Sequence, residues 1–323
     1  MSLRVAVLGA RRKVLGTGPF VARFFHEQGC EVVGILGTSE RSVETARAEL
    51  DERWGFRPPG FTSLPRLLDE ARPDLVAICT PTGVHRAQLR ECLAAGVNVL
   101  CEKPLWWDET CEPGAGASLQ AELDELVGGF VAAGRLLTVN AQWPRTLESF
   151  YALHPEQRGA PLNRFEMRLS PIATGVTSVI DSAPHLLSLL QALVGVGELS
   201  AISARWEDAE QGRLVLGFDY EAGGRETAVT FRQVRTTRPP RPAWYAINGA
   251  RAERTIELSD YSMRFVAGER GVDLPDPLEQ HIAATVKDVV DGRRTDATAI
   301  IAAQRQLVQL VDAVRACAKK SFP

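Results

Sequence analysis

Four short apolar runs in the first third of the chain constrain its fold more than any other feature. Residues 3–8 (LRVAVL), 31–36 (EVVGIL), 74–79 (DLVAIC) and 97–101 (VNVLC) are β-rich and do not alternate between apolar and polar. A strand that is apolar at successive positions needs cover on both faces, as in a parallel sheet with helices packed on either side. Helix patterns fill the intervals between the runs; in the first, Val21, Ala22, Phe24 and Phe25 are spaced for one buried face. The order βαβα(β)αβαβ with short connections predicts an α/β domain on a doubly wound parallel sheet. A helix over 119–133 and a strand over 136–139 close it.

The pattern changes after residue 140. Residues 163–169 (NRFEMRL) alternate strictly, apolar against charged, and parts of 213–218 and 227–233 do the same. Alternation marks half-buried strands, typical of an antiparallel sheet. Further strand candidates lie between 244 and 267, and helices over 278–290 and 297–318 finish the chain. With 323 residues there is length for two domains. The second is expected to be α+β.

Bulk properties narrow the function classes. A net charge of −3 with a pI near 6.0 leaves no electrostatic footprint for nucleic acid. The Arg-rich pieces at 11–13 and 235–241 are short. Six Cys, at 30, 79, 92, 101, 111 and 317, form no C-x-x-C pair, and the five His show no H-E-x-x-H spacing. That is the usage of reduced thiols, with no metal site expected. No apolar run reaches membrane-spanning length, and the N-terminal run is too short for a signal peptide. The expected location is cytoplasmic, with no membrane partner.

The strand ends carry the candidate chemistry. Gly9 closes the first run, Ala10-Arg11-Arg12-Lys13-Val14-Leu15 follows, and Gly16-Thr17-Gly18-Pro19 opens a helix. Small residues there let backbone N–H groups approach a pyrophosphate at a helix N-terminus, so Gly9, Gly16, Thr17 and Gly18 are candidate dinucleotide contacts. The spacing departs from G-x-G-x-x-G, whose glycines sit close to the strand end, and an ordinary Gly-Pro loop stays open. At the second strand's end, NAD-specific domains usually place an acid for the ribose 2′-hydroxyl. Gly37 stands there, followed by Thr38, Ser39 and Arg41. That favours a 2′-phosphate, hence NADP over NAD; Ser39 as a helix cap and a solvated Arg41 are compatible with it. The third strand ends in Thr80-Pro81-Thr82-Gly83, with His85 in the next helix's first turn, as a cofactor contact or as packing.

Residues 101–105 (CEKPL) put a carboxylate (Glu102), an ammonium (Lys103) and Pro104 side by side at a strand's carboxyl end, where open α/β sheets bind ligands. The plainer reading is a charged turn closed by proline. Trp106-Trp107 opens a Pro- and Gly-containing loop, as a pocket wall or as packing. In the second half, Asp181-Ser182-Ala183-Pro184-His185 precedes an apolar helix over 186–194. Pro184 suits that helix's first turn and brings Asp181 and His185 together at a helix start. On its own the pair reads as a capping Asp beside a surface or core His. An Asp can also orient an imidazole, the usual general acid/base at neutral pH.

Read together, LRVAVLG (3–9), VAICTPTGVH (76–85), AGVNVLCEKPL (95–105), DSAPH (181–185) and DPLEQHIAATVKDVVDGRR (276–294) resemble the glucose–fructose oxidoreductase, inositol dehydrogenase and rhizopine-catabolism (Gfo/Idh/MocA) family. The resemblance runs in order over nearly the whole chain. It implies a dinucleotide-binding Rossmann domain over 1–141 and a substrate-binding and oligomerisation domain over 142–323, the latter α+β with an open, mainly antiparallel sheet. It puts Lys103, Asp181 and His185 on catalytic positions, and Thr80, Pro81, His85 and Glu102 along the nicotinamide side of the cofactor. It implies a cis Lys103–Pro104 bond, and homodimers or homotetramers through the C-terminal sheet. The implied function is NAD(P)-dependent hydride transfer to or from a hydroxyl or carbonyl of a sugar, cyclitol or similar polyol. An NAD-dependent glycosidase-type hydrolase and a non-enzymatic dinucleotide-binding regulator are the alternatives on the same fold.

Four places depart from the family pattern: the 10–15 insert, the missing acid after the second strand, the long 106–118 loop, and Gln142-Trp143-Pro144-Arg145 where an Asn-Arg-Arg-like run is common.

Overall fold

The computed structural model describes residues 2–11, 16–107, 116–208, 210, 212–259 and 261–321, the side chains of 116–117 and 318–321 excepted. The insert residues 12–15 and most of the 106–118 loop, 108–115, thus lie outside the described residues. The described chain divides into two compact units. One lies within Met1–Thr110, Ser118–Asn140 and Leu278–Ile300, the other mainly within Ala141–Pro277 and Ile301–Pro323.

The first unit alternates strand and helix: β1 (Arg4–Leu8), α1 (Gly18–Glu27), β2 (Glu31–Leu36), α2 (Glu40–Trp54), β3 (Gly60–Phe61), α3 (Leu64–Ala71), β4 (Leu75–Ile78), α4 (His85–Ala94), β5 (Asn98–Glu102), α5 (Gly116–Ala132) and β6 (Leu137–Asn140). The strands form one parallel sheet in the order β3-β2-β1-β4-β5-β6. The order reverses between β1 and β4, the switch point beside which doubly wound sheets bind ligands. All four residues of β4 are fully buried, the outcome its unbroken apolar run requires. Val5 and Val7 of β1 pack with Val21, Ala22, Phe24 and Phe25 of α1 in one core cluster. Burying each of the larger side chains contributes about 1.5–3 kcal/mol. Asn98 ties neighbouring strands at their other end, donating to the Asp74 carbonyl (2.8 Å) and accepting from the Leu136 N–H (2.9 Å).

The second unit holds α6 (Leu147–Leu153), β7 (Arg164–Leu169), α7 (Gly175–Val194), β8 (Glu198–Asp208), β9 (Arg213–Ala222), β10 (Arg225–Val234), β11 (Ala243–Ile247), β12 (Ala250–Ile256), β13 (Met263–Ala267) and β14 (Arg270–Asp273). Its sheet runs β14-β13-β12-β11-β7-β10-β9-β8. Every pairing is antiparallel except that of β7 with β10. Alternation places Phe165, Met167, Leu216, Phe231, Tyr245 and Phe265 on one buried face. Helix α7 is fastened to β10 by a buried pair: Ser178 Oγ donates to Gln233 Oε1 (2.6 Å), and Gln233 Nε2 donates to the Ser178 carbonyl (3.1 Å).

Two elements differ from the sequence expectation. Helix α7 begins at Gly175, three turns before the residues read as its start, and Pro184 lies in its interior. A proline has no N–H for the carbonyl one turn back, which is why local rules put it at a helix's first turn. Here the Ser178–Gln233 pair and the buried side chains of Val179, Ala183, Leu186 and Leu187 outweigh that loss. The second element is α8 (Pro277–Val290), which precedes α9 (Ala297–Ser321). Leu278 and Ile282 of α8 sit in the core cluster of the first unit. Thr295, in the following turn, donates to the Arg135 carbonyl (2.7 Å) and accepts from the Leu137 N–H (2.8 Å). Residues 278–300 therefore belong with the parallel sheet.

Candidate active site

In the first unit the candidate residues gather at the carboxyl ends of β1, β4 and β5. Gly9 has φ +82°, and a Cβ there would lie 2.9 Å from the Cys79 carbonyl oxygen. A Cβ on Gly18 would lie 2.3 Å from the Gly9 carbonyl oxygen. The turn after β1 and the start of α1 thus touch backbone to backbone, and glycine is required at both points. Among the described residues no side chain caps α1, and its first turn carries no acid. Thr17, at the cap position, instead turns its hydroxyl to the Glu102 carboxylate. The first N–H groups of α1, of which Pro19 supplies none, lie at the dipole's positive end, where an anion is favoured. This cradle fits the pyrophosphate of a dinucleotide.

Glu102 is buried. It accepts from Thr17 and, at 2.8 Å, from Asn140 Nδ2, its register partner on β6. It joins the start of α1 to the ends of β5 and β6. Asn140 is itself buried (1% exposed), and its Oδ1 accepts no hydrogen bond among the described residues. Sequence reading passed over Asn140; its place at a strand's carboxyl end was the available signal.

His85 is fully buried. Its Nε2 lies 2.8 Å from the Thr80 carbonyl, and its Nδ1 lies 3.0 Å from the Leu105 carbonyl and 3.5 Å from Cys101 Sγ. The ring brackets the turn after β4 to the CEKPL turn, which is the packing role left open for it. Thr80 Oγ1 donates to Gln88 Oε1 of α4 (2.6 Å), and Pro81 is exposed. Lys103 is half-buried, and the Lys103–Pro104 bond is cis, as the resemblance implied. Burial first, then the Glu102 charge, push the Cys101 thiol well above its ordinary value, so it serves as apolar filling. Trp106 and Trp107 are both buried.

At the end of β2, Gly37 is enforced by packing: a Cβ would lie 2.7 Å from Ser42 Oγ and 2.9 Å from a Val43 methyl. An acid there has no room. Ser39 caps α2 in a reciprocal box with Ser42, and Thr38 is exposed beside it. Arg41 is exposed, and no acid pairs with its guanidinium among the described residues.

In the second unit, Asp181 and His185 stand one turn apart on α7, the i,i+4 spacing at which two side chains share a helix face. Asp181 is exposed and His185 half-buried. Trp143 meets the His185 ring edge-on, centroids 6.4 Å apart, and meets Tyr245 at 6.1 Å. The indole is seated by a 3₁₀ turn, Trp143–Thr146, whose Thr146 hydroxyl bonds the Trp143 carbonyl (2.7 Å) and the buried Tyr245 hydroxyl (3.1 Å). Trp143, one of the departures from the family pattern, is thus the wall against which the imidazole lies. Among the described residues no group of His, Cys, Asp and Glu is arranged to hold a metal ion.

Residues 3–119 match the model of the Gfo/Idh/MocA oxidoreductase family with its NAD-binding Rossmann fold. UDP-N-acetylglucosamine 3-dehydrogenase of Acidithiobacillus ferrooxidans is 27% identical over 188 residues, which are 57% of this chain and 54% of that protein. The match thus spans about half the length of this curated relative. Its solved structure superposes with a TM-score of 0.69 at 21% identity, covering 98% of this chain and 99% of that one. Myo-inositol 2-dehydrogenase of Lactobacillus plantarum gives a TM-score of 0.69 at 17% identity, covering 99% and 98%. A probable dehydrogenase of Thermotoga maritima gives 0.72 at 14%, covering 99% and 97%. At these identities the solved structures establish a shared fold. Joined to the glycine cradle and the Glu-Lys-Pro turn, the match over residues 3–119 shows that the first part of this chain is similar to the Gfo/Idh/MocA oxidoreductases, whose Rossmann fold binds a nicotinamide dinucleotide.

Proposed function

We propose that the chain is a dehydrogenase or reductase acting on a secondary hydroxyl, or the matching carbonyl, of a sugar, cyclitol or similar polyol. The observation that carries this reading is the presence, on a family-matched fold, of a Glu-Lys-Pro turn at a strand's carboxyl end together with Asp181 and His185 one helical turn apart. When bound, the nicotinamide ring supplies or accepts the hydride. His185 takes the hydroxyl proton as the carbinol carbon loses hydride, and returns it in the reverse direction. Asp181 orients the imidazole and favours its charged form. Lys103 donates to a substrate oxygen and stabilises negative charge that develops there. Gly9, Gly16, Thr17 and Gly18 hold the pyrophosphate. Thr80, Pro81 and Glu102 line the nicotinamide side, with His85 holding their turns in place from behind. A homodimer or homotetramer through the open sheet of the second unit completes the reading.

For the adenosine end we propose a preference for NADP. The support is Gly37, which leaves no room for a ribose-binding acid, and Arg41 just beyond it, exposed and without an acid partner among the described residues. Thr38 and Ser39 supply hydroxyls to the same phosphate. Fluorescence titration of the full chain with NADPH and NADH tests this. NADPH is expected to bind about tenfold tighter or better, and Arg41→Ala to erase most of that difference, a charge-assisted contact contributing about 1.5–3 kcal/mol. Equal binding of the two would remove the Arg41 argument, and binding of neither would remove cofactor use. Product analysis with a glycoside separates the hydrolase: it would show cleavage with no net change in added cofactor.

A further inference from the structure

Strand β12 carries one residue that alternation does not account for. Arg254 pairs in register with Ala243 on one side and Phe265 on the other, both buried. It therefore stands on the inward face, in line with Ala252 and next to the row holding Tyr245 and Met167. A guanidinium on that face loses water, a cost that proteins normally offset with a carboxylate. Arg23, Arg47, Arg53 and Arg57 all reach one. Arg254 reaches none among the described residues. Its closest hydrogen bond goes from a terminal nitrogen to the Arg241 carbonyl at 3.5 Å, the outer limit for such a bond. Its Nε is out of solvent and bonds to nothing described.

The charge it does feel is another cation. Burial, and then Arg241, pull its pKa down to about 10, which leaves it positive at neutral pH. Arg241 likewise forms no ion pair among the described residues. Besides that long bond, the compensating contact among the described residues is the Trp143 ring, whose centroid lies 5.3 Å from the guanidinium carbon. That is the same indole that meets His185. His185 and Arg254 therefore both lie against one side chain.

We propose that Arg254 and Arg241, with the Trp143 ring between Arg254 and His185, form an oxyanion-binding subsite, so that the substrate carries a carboxylate or a phosphate group beside the hydroxyl that reacts. The link to the reacting hydroxyl rests on the role proposed for His185; the anion site itself does not. Two guanidinium groups without acids, one desolvated, make a fork that matches a carboxylate or phosphate. A purely structural arginine would instead be paired, and its replacement would weaken the fold.

The test is calorimetric titration of the full chain with D-glucose, D-glucuronate, glucose 6-phosphate and UDP-glucose, on wild type, Arg254→Met, Arg254→Lys and Arg241→Gln. At least one anionic probe is expected to bind about tenfold or more tighter than glucose, since breaking a buried charged pair costs at least that factor. Arg254→Met should erase the preference, while Arg254→Lys and Arg241→Gln keep part of it. Glucose binding should be unchanged throughout. Methionine keeps the apolar stem, so the melting temperature of Arg254→Met should hold or rise, as replacing a half-buried charge with no acid partner among the described residues permits; a fall would favour the structural role. Which probe wins separates a carboxylate from a phosphomonoester or a nucleotide diphosphate. The proposal is overturned by equal affinity for charged and neutral probes, by no binding of any anionic probe, or by a preference that survives Arg254→Met. Nicotinamide reduction with the same probes keeps the two readings apart. An anion preference without hydride transfer removes only the dehydrogenase. Hydride transfer from neutral polyols without that preference removes only the subsite.

Discussion

The two units present chemistry in opposite ways. In the first, the site is made of backbone at strand ends: a turn where Gly9 and Gly18 touch, a helix start with open N–H groups, and carbonyls bracketed by His85. In the second, side chains do it, carried on α7 over one face of a sheet and seated by Trp143. The sheets themselves explain the contrast. A parallel sheet covered on both faces, like β4 with every residue buried, has only its ends to offer a ligand. An alternating sheet leaves one face to a helix, and the helix brings its own side chains.

The comparison predicts that the second unit is damaged by removing side chains and the first by adding them. The largest effect is expected from His185→Ala: a fall in kcat of about 10²–10⁴, the range for a lost general acid/base, with cofactor affinity unchanged. Lys103→Ala should fall in the same range, as the one side chain of the first unit proposed to act on a substrate oxygen. Wild-type turnover by both variants on a confirmed substrate would sink the catalytic assignment. Next comes Gly18→Ala, which adds one methyl 2.3 Å from a backbone oxygen. Relief requires the turn to open, at about 1–3 kcal/mol, and cofactor affinity should fall by a similar factor while sugar-probe binding by the second unit stays. Unchanged cofactor binding would show that the cradle is not where the pyrophosphate sits.

A smaller effect is expected for Gln233→Ala, which leaves the buried Ser178 hydroxyl without its partner on β10. The expected cost is about 1–3 kcal/mol of stability, read by denaturant unfolding, with the seating of α7 loosened. No loss would mean that apolar packing alone holds the helix. The smallest effect is alkaline. Burial, and then Glu91, push the Cys92 thiol up to about 12 from an ordinary value of 9.0, and burial pushes Cys30 up to about 11. Because the folded pKa is raised, the unfolded chain releases these protons first. The contribution is complete below pH about 9 and is lost as pH rises toward the folded values. For Cys92 alone the loss is about 1 kcal/mol by pH 10. Cys92→Ala should flatten the decline in stability between pH 9 and 11, and an unaltered slope would put the alkaline sensitivity on other groups.

Much of the first unit was legible in the sequence because its signals are local. LVAI at 75–78 can only be a buried strand, and the Glu-Lys-Pro turn follows β5 with nothing intervening. What misled in the second unit was also local. Pro184 reads as a helix start, yet α7 begins at Gly175 and is fastened at Ser178 by a glutamine on β10, distant in sequence. Asn140 and Arg254 went unnoticed for the same reason. A lone Asn at a strand end and an Arg at an inward position gain meaning only beside Glu102 and Trp143.

The sequence by itself determined the strand-and-turn order of the parallel sheet, the glycines its cradle requires, the alternation of the second sheet and the family resemblance of its first part. These depend on periods of a few residues and on backbone freedom at single positions. Tertiary structure alone decided that α8 packs into the core of the first unit, that Pro184 lies inside a helix, that Gly37 excludes an acid and that Arg254 faces inward without one. Each of those is settled by a neighbour far away in the chain, and no local pattern carries the energy of a contact that forms only when the chain is folded.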